Sequence, residues 1–152
     1  MVRKLAVLVI VLSVAAIVIG GVFIGEGVAK NKLIVDRMNV EKVSLALDPN
    51  TPGVYTQINN AAEAQKAADT IAGHRRGISP TYQALLGTGK FDPTNPQHLT
   101  YAQAMNLENY LYMAVTAFGL IQVTMANGVF MVIVGVAIGC VGLALMRLGK
   151  TA

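Results

Sequence analysis

Tryptophan is absent from this chain, cysteine occurs once and histidine twice, and these shortages remove whole kinds of chemistry. The one thiol, Cys140, lies within an apolar run, so there is no disulfide framework and no thiol nucleophile in the polar part of the chain. Zinc sites are built from paired ligands such as H-x-x-x-H or C-x-x-C, and neither spacing occurs. His98 follows a proline-rich turn, and even beside Asp92 or Glu108 it has no second imidazole in a ligand spacing. There is no G-x-S-x-G, no P-loop and no dinucleotide-binding glycine pattern. We therefore expect no catalytic residue, no metal, no cofactor and no enzyme.

Charge is scarce as well, at 13% of residues, while 54% are hydrophobic and the mean hydropathy is +0.54. A soluble domain of this length is less apolar. The excess is concentrated in two stretches. Residues 5–24 carry no charge and a single hydroxyl, Ser13, and residues 113–146 carry no charge. A helix rises about 1.5 Å per residue and a bilayer core is about 30 Å thick, so the first stretch is long enough to cross once. It exceeds the apolar core of a cleaved leader, about 7–15 residues, and is expected to be retained as a span. A strand of this length would be far outside the usual range.

The charges also set an expected topology. All eight acidic residues and eight of the twelve basic ones fall within residues 26–112. The surplus of +4 is Arg3, Lys4, Arg147 and Lys150, which flank the outer ends of the two apolar stretches. Cytoplasmic flanks of membrane helices carry such a surplus, so both termini are expected inside. The pI near 9.4 then reflects insertion and not nucleic-acid binding. The expected fold class is mainly α: an integral membrane protein with two transmembrane helices and a small helical extracytoplasmic domain that includes a short extended segment. Its expected parts are an N-terminal span at residues 1–25, an extracytoplasmic domain and stem at 26–124, a second span at 125–147 and a cytoplasmic tail at 148–152. A break at Asn127-Gly128 would give three spans, but pieces too short to cross comfortably.

Between the spans, the helix of the first is expected to continue through Arg37, with residues 38–47 extended, and Asp48-Pro49-Asn50-Thr51-Pro52-Gly53 turns the chain. Asn60-Ala61-Ala62-Glu63 has the form of a capping box for an alanine-rich helix that Gly73 or Gly77 would close. Ser79-Pro80 suits the start of a brief helix stopped by Gly87, and Thr100-Tyr101-Ala102-Gln103 suits the start of the final long one. On that last helix, Leu107, Leu111, Ala114 and Phe118 form one stripe, with Tyr101, Met105 and Tyr112 on another flank. These faces are expected to be covered by the two shorter helices.

Two groups of residues stand out as candidate contacts. Gly21 with Gly25, and Gly135 with Gly139, are GxxxG pairs, which let membrane helices approach closely. His74, Arg75 and Arg76 place an imidazole and two guanidiniums after a helix, suited to an anion or a lipid headgroup, although cations at a helix C-terminus are stabilising in their own right.

The run Ala68-Asp69-Thr70-Ile71-Ala72-Gly73-His74, the Tyr82-Gln83-Ala84-Leu85-Leu86 helix, Asp92-Pro93-Thr94 and the stem from Leu107 to Phe118-Gly119 together resemble a group of uncharacterised two-span bacterial proteins, mostly actinobacterial. Members are sometimes labelled aromatic ring-opening dioxygenases, which would imply an iron site. Two unpaired histidines give that no footing. The resemblance implies a helical hairpin with an extracytoplasmic insert, in the plasma membrane. The expected function is a non-catalytic accessory or structural subunit of a cell-envelope complex, its partners being the bilayer and other membrane subunits. The alternative is a self-assembling scaffold or a module that contacts lipid or anions.

Overall fold

The computed structural model describes residues 2–42, 44–46 and 55–151. It is mainly helical, in the order α1 (Val2–Val40), β1 (Ser44–Ala46), β2 (Tyr55–Gln57), α2 (Ala61–Ile78), α3 (Tyr82–Leu86) and α4 (Pro96–Thr151). The two strands form a short antiparallel ladder in which Ser44 faces Gln57 and Ala46 faces Tyr55. The turn expected at Asp48 to Gly53 lies outside the described residues. Two helices, α1 and α4, are long and apolar enough to cross a membrane. The chain divides into two compact units, one of Met1–Lys32 with Leu120–Ala152 and the other of Leu33–Gly119.

Helix boundaries differ from the sequence reading in four places, each for a local reason. First, α1 continues to Val40, so Met38 and Val40 are helical and not extended; the chain leaves the helix where Lys42 takes a positive φ of 52°. Second, α2 passes through Gly73 and Gly77 to Ile78, and Ser79 caps it by donating its N–H to the Arg75 carbonyl. A glycine inside a helix costs only about 1 kcal/mol relative to alanine, so it weakens a helix without ending it. Third, α3 is capped by the Thr81 hydroxyl, which accepts from the Ala84 N–H, leaving Ser79 and Pro80 before the helix. Gly87 closes it at φ 59°, a conformation that favours glycine. Fourth, α4 begins at Pro96 and not at the Thr100 box. The Asn95 side chain accepts from the Gln97 N–H at 2.9 Å, and Pro96, lacking an N–H, suits the first helical position. Thr100 instead donates its hydroxyl back to the Pro96 carbonyl within the helix. At Asn127-Gly128, α4 runs on unbroken.

The capping box of α2 forms with a one-residue offset. Asn60 Oδ1 accepts from the Glu63 N–H at 3.0 Å, and the Glu63 carboxylate accepts from the Asn59 N–H at 2.7 Å. The alanines this helix carries, Ala64, Ala67 and Ala68, are buried with Ile58 against Leu111, Ala114 and Phe118 of α4. Ile34, Val35 and Met38 of α1 pack on the same cluster. Alanine keeps α2 close to α4, and the large residues of α4 fill the space between them. Phe118 and Tyr101 are among the largest fully buried side chains. Leu107, expected in the buried stripe, is 39% exposed.

Candidate functional site

In the unit of Met1–Lys32 with Leu120–Ala152, the two helices meet along a seam of small residues. On α1 the buried positions are Ala6, Ser13, Gly20 and Gly27, seven residues apart. On α4 the matching series is Gly128, Gly135, Gly142 and Gly149, again seven apart. The helices run antiparallel, so Gly20 lies against Gly128, Ser13 against Gly135, and Ile10 against Gly142. A Cβ at Gly20 would stand 2.6 Å from the Gly128 carbonyl oxygen, and one at Gly128 would stand 2.7 Å from that of Gly20. Main chain therefore packs on main chain, and any side chain there would force the helices apart. The Ser13 hydroxyl donates to the Gly135 carbonyl at 2.7 Å, satisfying a polar group buried in the seam.

Among the GxxxG candidates, Gly135 and Gly139 face this seam, Gly139 against the Ser13 hydroxyl. Gly21 and Gly25 do not: a Cβ at either would meet nothing within 4 Å. The reason is angular. Each residue turns about 100° around a helix axis, so Gly21 is carried off the face that Gly20 and Gly27 occupy. The signal that marks the seam was present in the sequence as the seven-residue series, which a search for spacing four passes over.

In the unit Leu33–Gly119, His74, Arg75 and Arg76 are split around α2 by the same helical step. His74 and Arg76 are exposed, while Arg75 turns inward. Its Nε donates to Glu108 Oε2 at 2.6 Å and its Nη2 donates to Oε1 at 3.2 Å, a two-pronged pair with side-chain exposures of 13% and 11%. Its Nη1 donates to the Tyr101 hydroxyl at 2.5 Å. The Tyr82 ring lies 6.2 Å from that of Tyr101. Held above all by its hydrogen bond and charge pairing with Glu108, and further by Tyr101, the Arg75 guanidinium keeps its proton more tightly than usual although burial opposes this. The three residues thus do not converge as an anion site. Arg75 is a clamp between α2 and α4, and its partner Glu108 was not singled out by spacing because the two lie on different helices.

His98 belongs to a local arrangement. Its Nδ1 accepts from the Asp92 N–H at 3.0 Å, and its ring stacks on Phe91 at 5.6 Å between centroids. Asp92 accepts from the Thr94 hydroxyl at 2.7 Å and the Thr94 N–H at 2.8 Å, which holds its carboxyl below the ordinary aspartate range. Among the described residues, no three His, Cys, Asp or Glu side chains are grouped to hold a metal ion.

One groove in this unit is apolar in its floor and charged at its rim. It encloses about 540 Å³ and is lined by Arg37, Met38, Glu41, Leu107, Tyr110 and Leu111. Tyr110 stands 69% exposed beside it. Compared with models of protein families, with curated proteins and with solved structures, the chain matches none.

Proposed function

We propose that this protein is a non-catalytic accessory subunit of a cell-envelope membrane complex, anchored by α1 and α4 with both termini cytoplasmic and the part between the spans outside. One observation carries this reading. Within the unit of Met1–Lys32 with Leu120–Ala152, the intrachain seam uses Gly20 and Gly27 and leaves Gly21 and Gly25 with open space. A membrane helix with a GxxxG pair free on its surface can accept a second helix at close range, where lipid offers no hydrophobic drive and backbone packing decides association. The charge balance, neutral between the spans and basic at both ends, supports the orientation.

The test is extraction of the tagged protein from its own membranes in mild detergent, followed by native mass analysis, with Gly21→Leu/Gly25→Leu compared against the unaltered chain. The reading expects a different protein in fixed stoichiometry with the natural sequence and its loss from the variant. A partner that stays with the variant, or no partner with either, rejects it.

A further inference from the structure

We infer that the groove between α1 and α4 in the unit Leu33–Gly119 is a docking surface for a second copy of this chain. The groove is bounded by one cation and one anion, Arg37 in the last turn of α1 and Glu41 just past its end, whose N–H donates to the Arg37 carbonyl at 3.2 Å. Neither side chain has an ion-pair or hydrogen-bond partner among the described residues. Both stand exposed at the edge of a floor made by Met38, Leu107 and Leu111. Two neighbouring residues of opposite sign, exposed and unpaired within the described chain, make the rim of the groove complementary to itself.

A second copy answers both. Two crossings of the bilayer give every copy the same orientation, so two copies pair about an axis along the membrane normal, and the same surface serves both sides. Arg37 of one copy and Glu41 of the other are then offset by one turn, about 6 Å along the axis. Flanking charges of parallel helix pairs form reciprocal bridges across such offsets. Each copy contributes one cation and one anion, and two bridges form. A lipid with an anionic headgroup would engage Arg37 and leave Glu41 beside a like charge. The apolar part fits the same occupant, since Tyr110 projects next to the groove and supplies the kind of aromatic anchor that fills a facing cleft. The pairing rests on the membrane-spanning part of the reading above and is independent of any accessory role, because it requires no other protein.

The experiment uses the full chain with Cys140→Ala to remove the exposed thiol, labelled at its C-terminus with donor or acceptor dyes and reconstituted in phosphatidylcholine vesicles. Energy transfer is followed as protein is diluted with lipid. The natural sequence should dimerise. Arg37→Glu and Glu41→Arg should each weaken the dimer at least tenfold, and the double exchange R37E/E41R should restore it to within about threefold, because the reciprocal bridges re-form with their signs reversed. Tyr110→Ala should weaken it without altering the response to charge. Helical content and the midpoint of thermal unfolding should be unchanged in the monomers. A natural sequence that stays monomeric at every dilution overturns the inference, as does a dimer indifferent to Arg37→Glu, or a double exchange as weak as either single change. Release of the chain from membranes by alkaline carbonate would instead reject the spanning reading itself.

Discussion

Gly20 and Gly128 hold α1 to α4 by having no side chains, whereas Leu111, Phe118 and Arg75 hold α4 to α2 by having large ones. On the membrane-spanning reading proposed above, the contrast follows from the solvent each part of the chain meets. In hydrocarbon, an apolar side chain gains nothing by moving from lipid to a neighbouring helix, and attraction comes from close backbone contact and a few hydrogen bonds. In water, burial of apolar surface contributes roughly 25 cal/mol per Å², so bulk is favoured at the interface. The exposed residues agree. In the glycine-seamed unit, Leu5, Leu8, Val11, Leu12, Val18 and Phe130 are exposed, while on α2 the exposed positions include Lys66, Asp69 and Arg76.

The contrast can be broken most forcefully at the seam. Replacing Gly20 by leucine drives a side chain into the Gly128 main chain, which cannot yield as a flexible tip would, and should destabilise the hairpin by about 3 kcal/mol. Gly21→Leu, one residue away in open space, should change stability by less than about 0.5 kcal/mol. Reversible unfolding in mixed micelles measures both, and equal effects at the two positions would remove the seam from the account. In the other unit, Arg75→Ala leaves Glu108 mostly buried and unanswered and should cost about 2–3 kcal/mol. Glu108→Gln keeps the shape and lowers that loss. If thermal unfolding gives the same midpoint for Arg75→Ala as for Arg76→Ala, whose side chain is exposed, the clamp is not a clamp.

The smallest effect concerns pH. Hydrogen bonds from Thr94 depress the carboxyl of folded Asp92 below its unfolded value of about 3.9. Its contribution is therefore complete above that unfolded value and disappears as pH falls through the lower folded one. Thr94→Val should move the Asp92 titration upward in a carboxyl NMR measurement, and an unmoved midpoint would separate the hydrogen bond from the shift.

Much of this architecture was legible because it is written in composition. Two uncharged runs of sufficient length announce two apolar helices, and the Asn60 to Glu63 pattern marks the start of α2. The stripe on α4 correctly named Leu111, Ala114 and Phe118 as facing α2. Helix ends were harder. Whether Asn95 or Thr100 caps α4 depends on whether the turn before it can direct the chain into a helix, and the residues at both places are good caps. The candidate contacts were hardest. Spacing four in a membrane helix suggests packing, but which face a helix presents depends on its partner, and the deciding regularity was the longer one shared by Gly20 and Gly27 with Gly128 and Gly135. Arg75 was noticed as a cation near a helix end, yet its role comes from Glu108 and Tyr101, which are brought to it by tertiary packing alone.

The seven-residue repeat has a consequence for motion. A seam with a small residue at every seventh position is a track with evenly spaced stops. Sliding α4 along α1 by one residue sets a larger residue, Val129, Val136 or Val141 among them, where a glycine stood and separates the backbones, but a full step of about 10 Å brings the glycine series back to the seam. Ser13 finds another glycine carbonyl at the next stop, so its hydrogen bond does not choose between them. What differs between the stops is the larger side chain at each glycine of α1: Met125 packs at Gly27 and Val132 at Gly20, so a full step exchanges a flexible thioether for a branched valine and sets one register apart from the next.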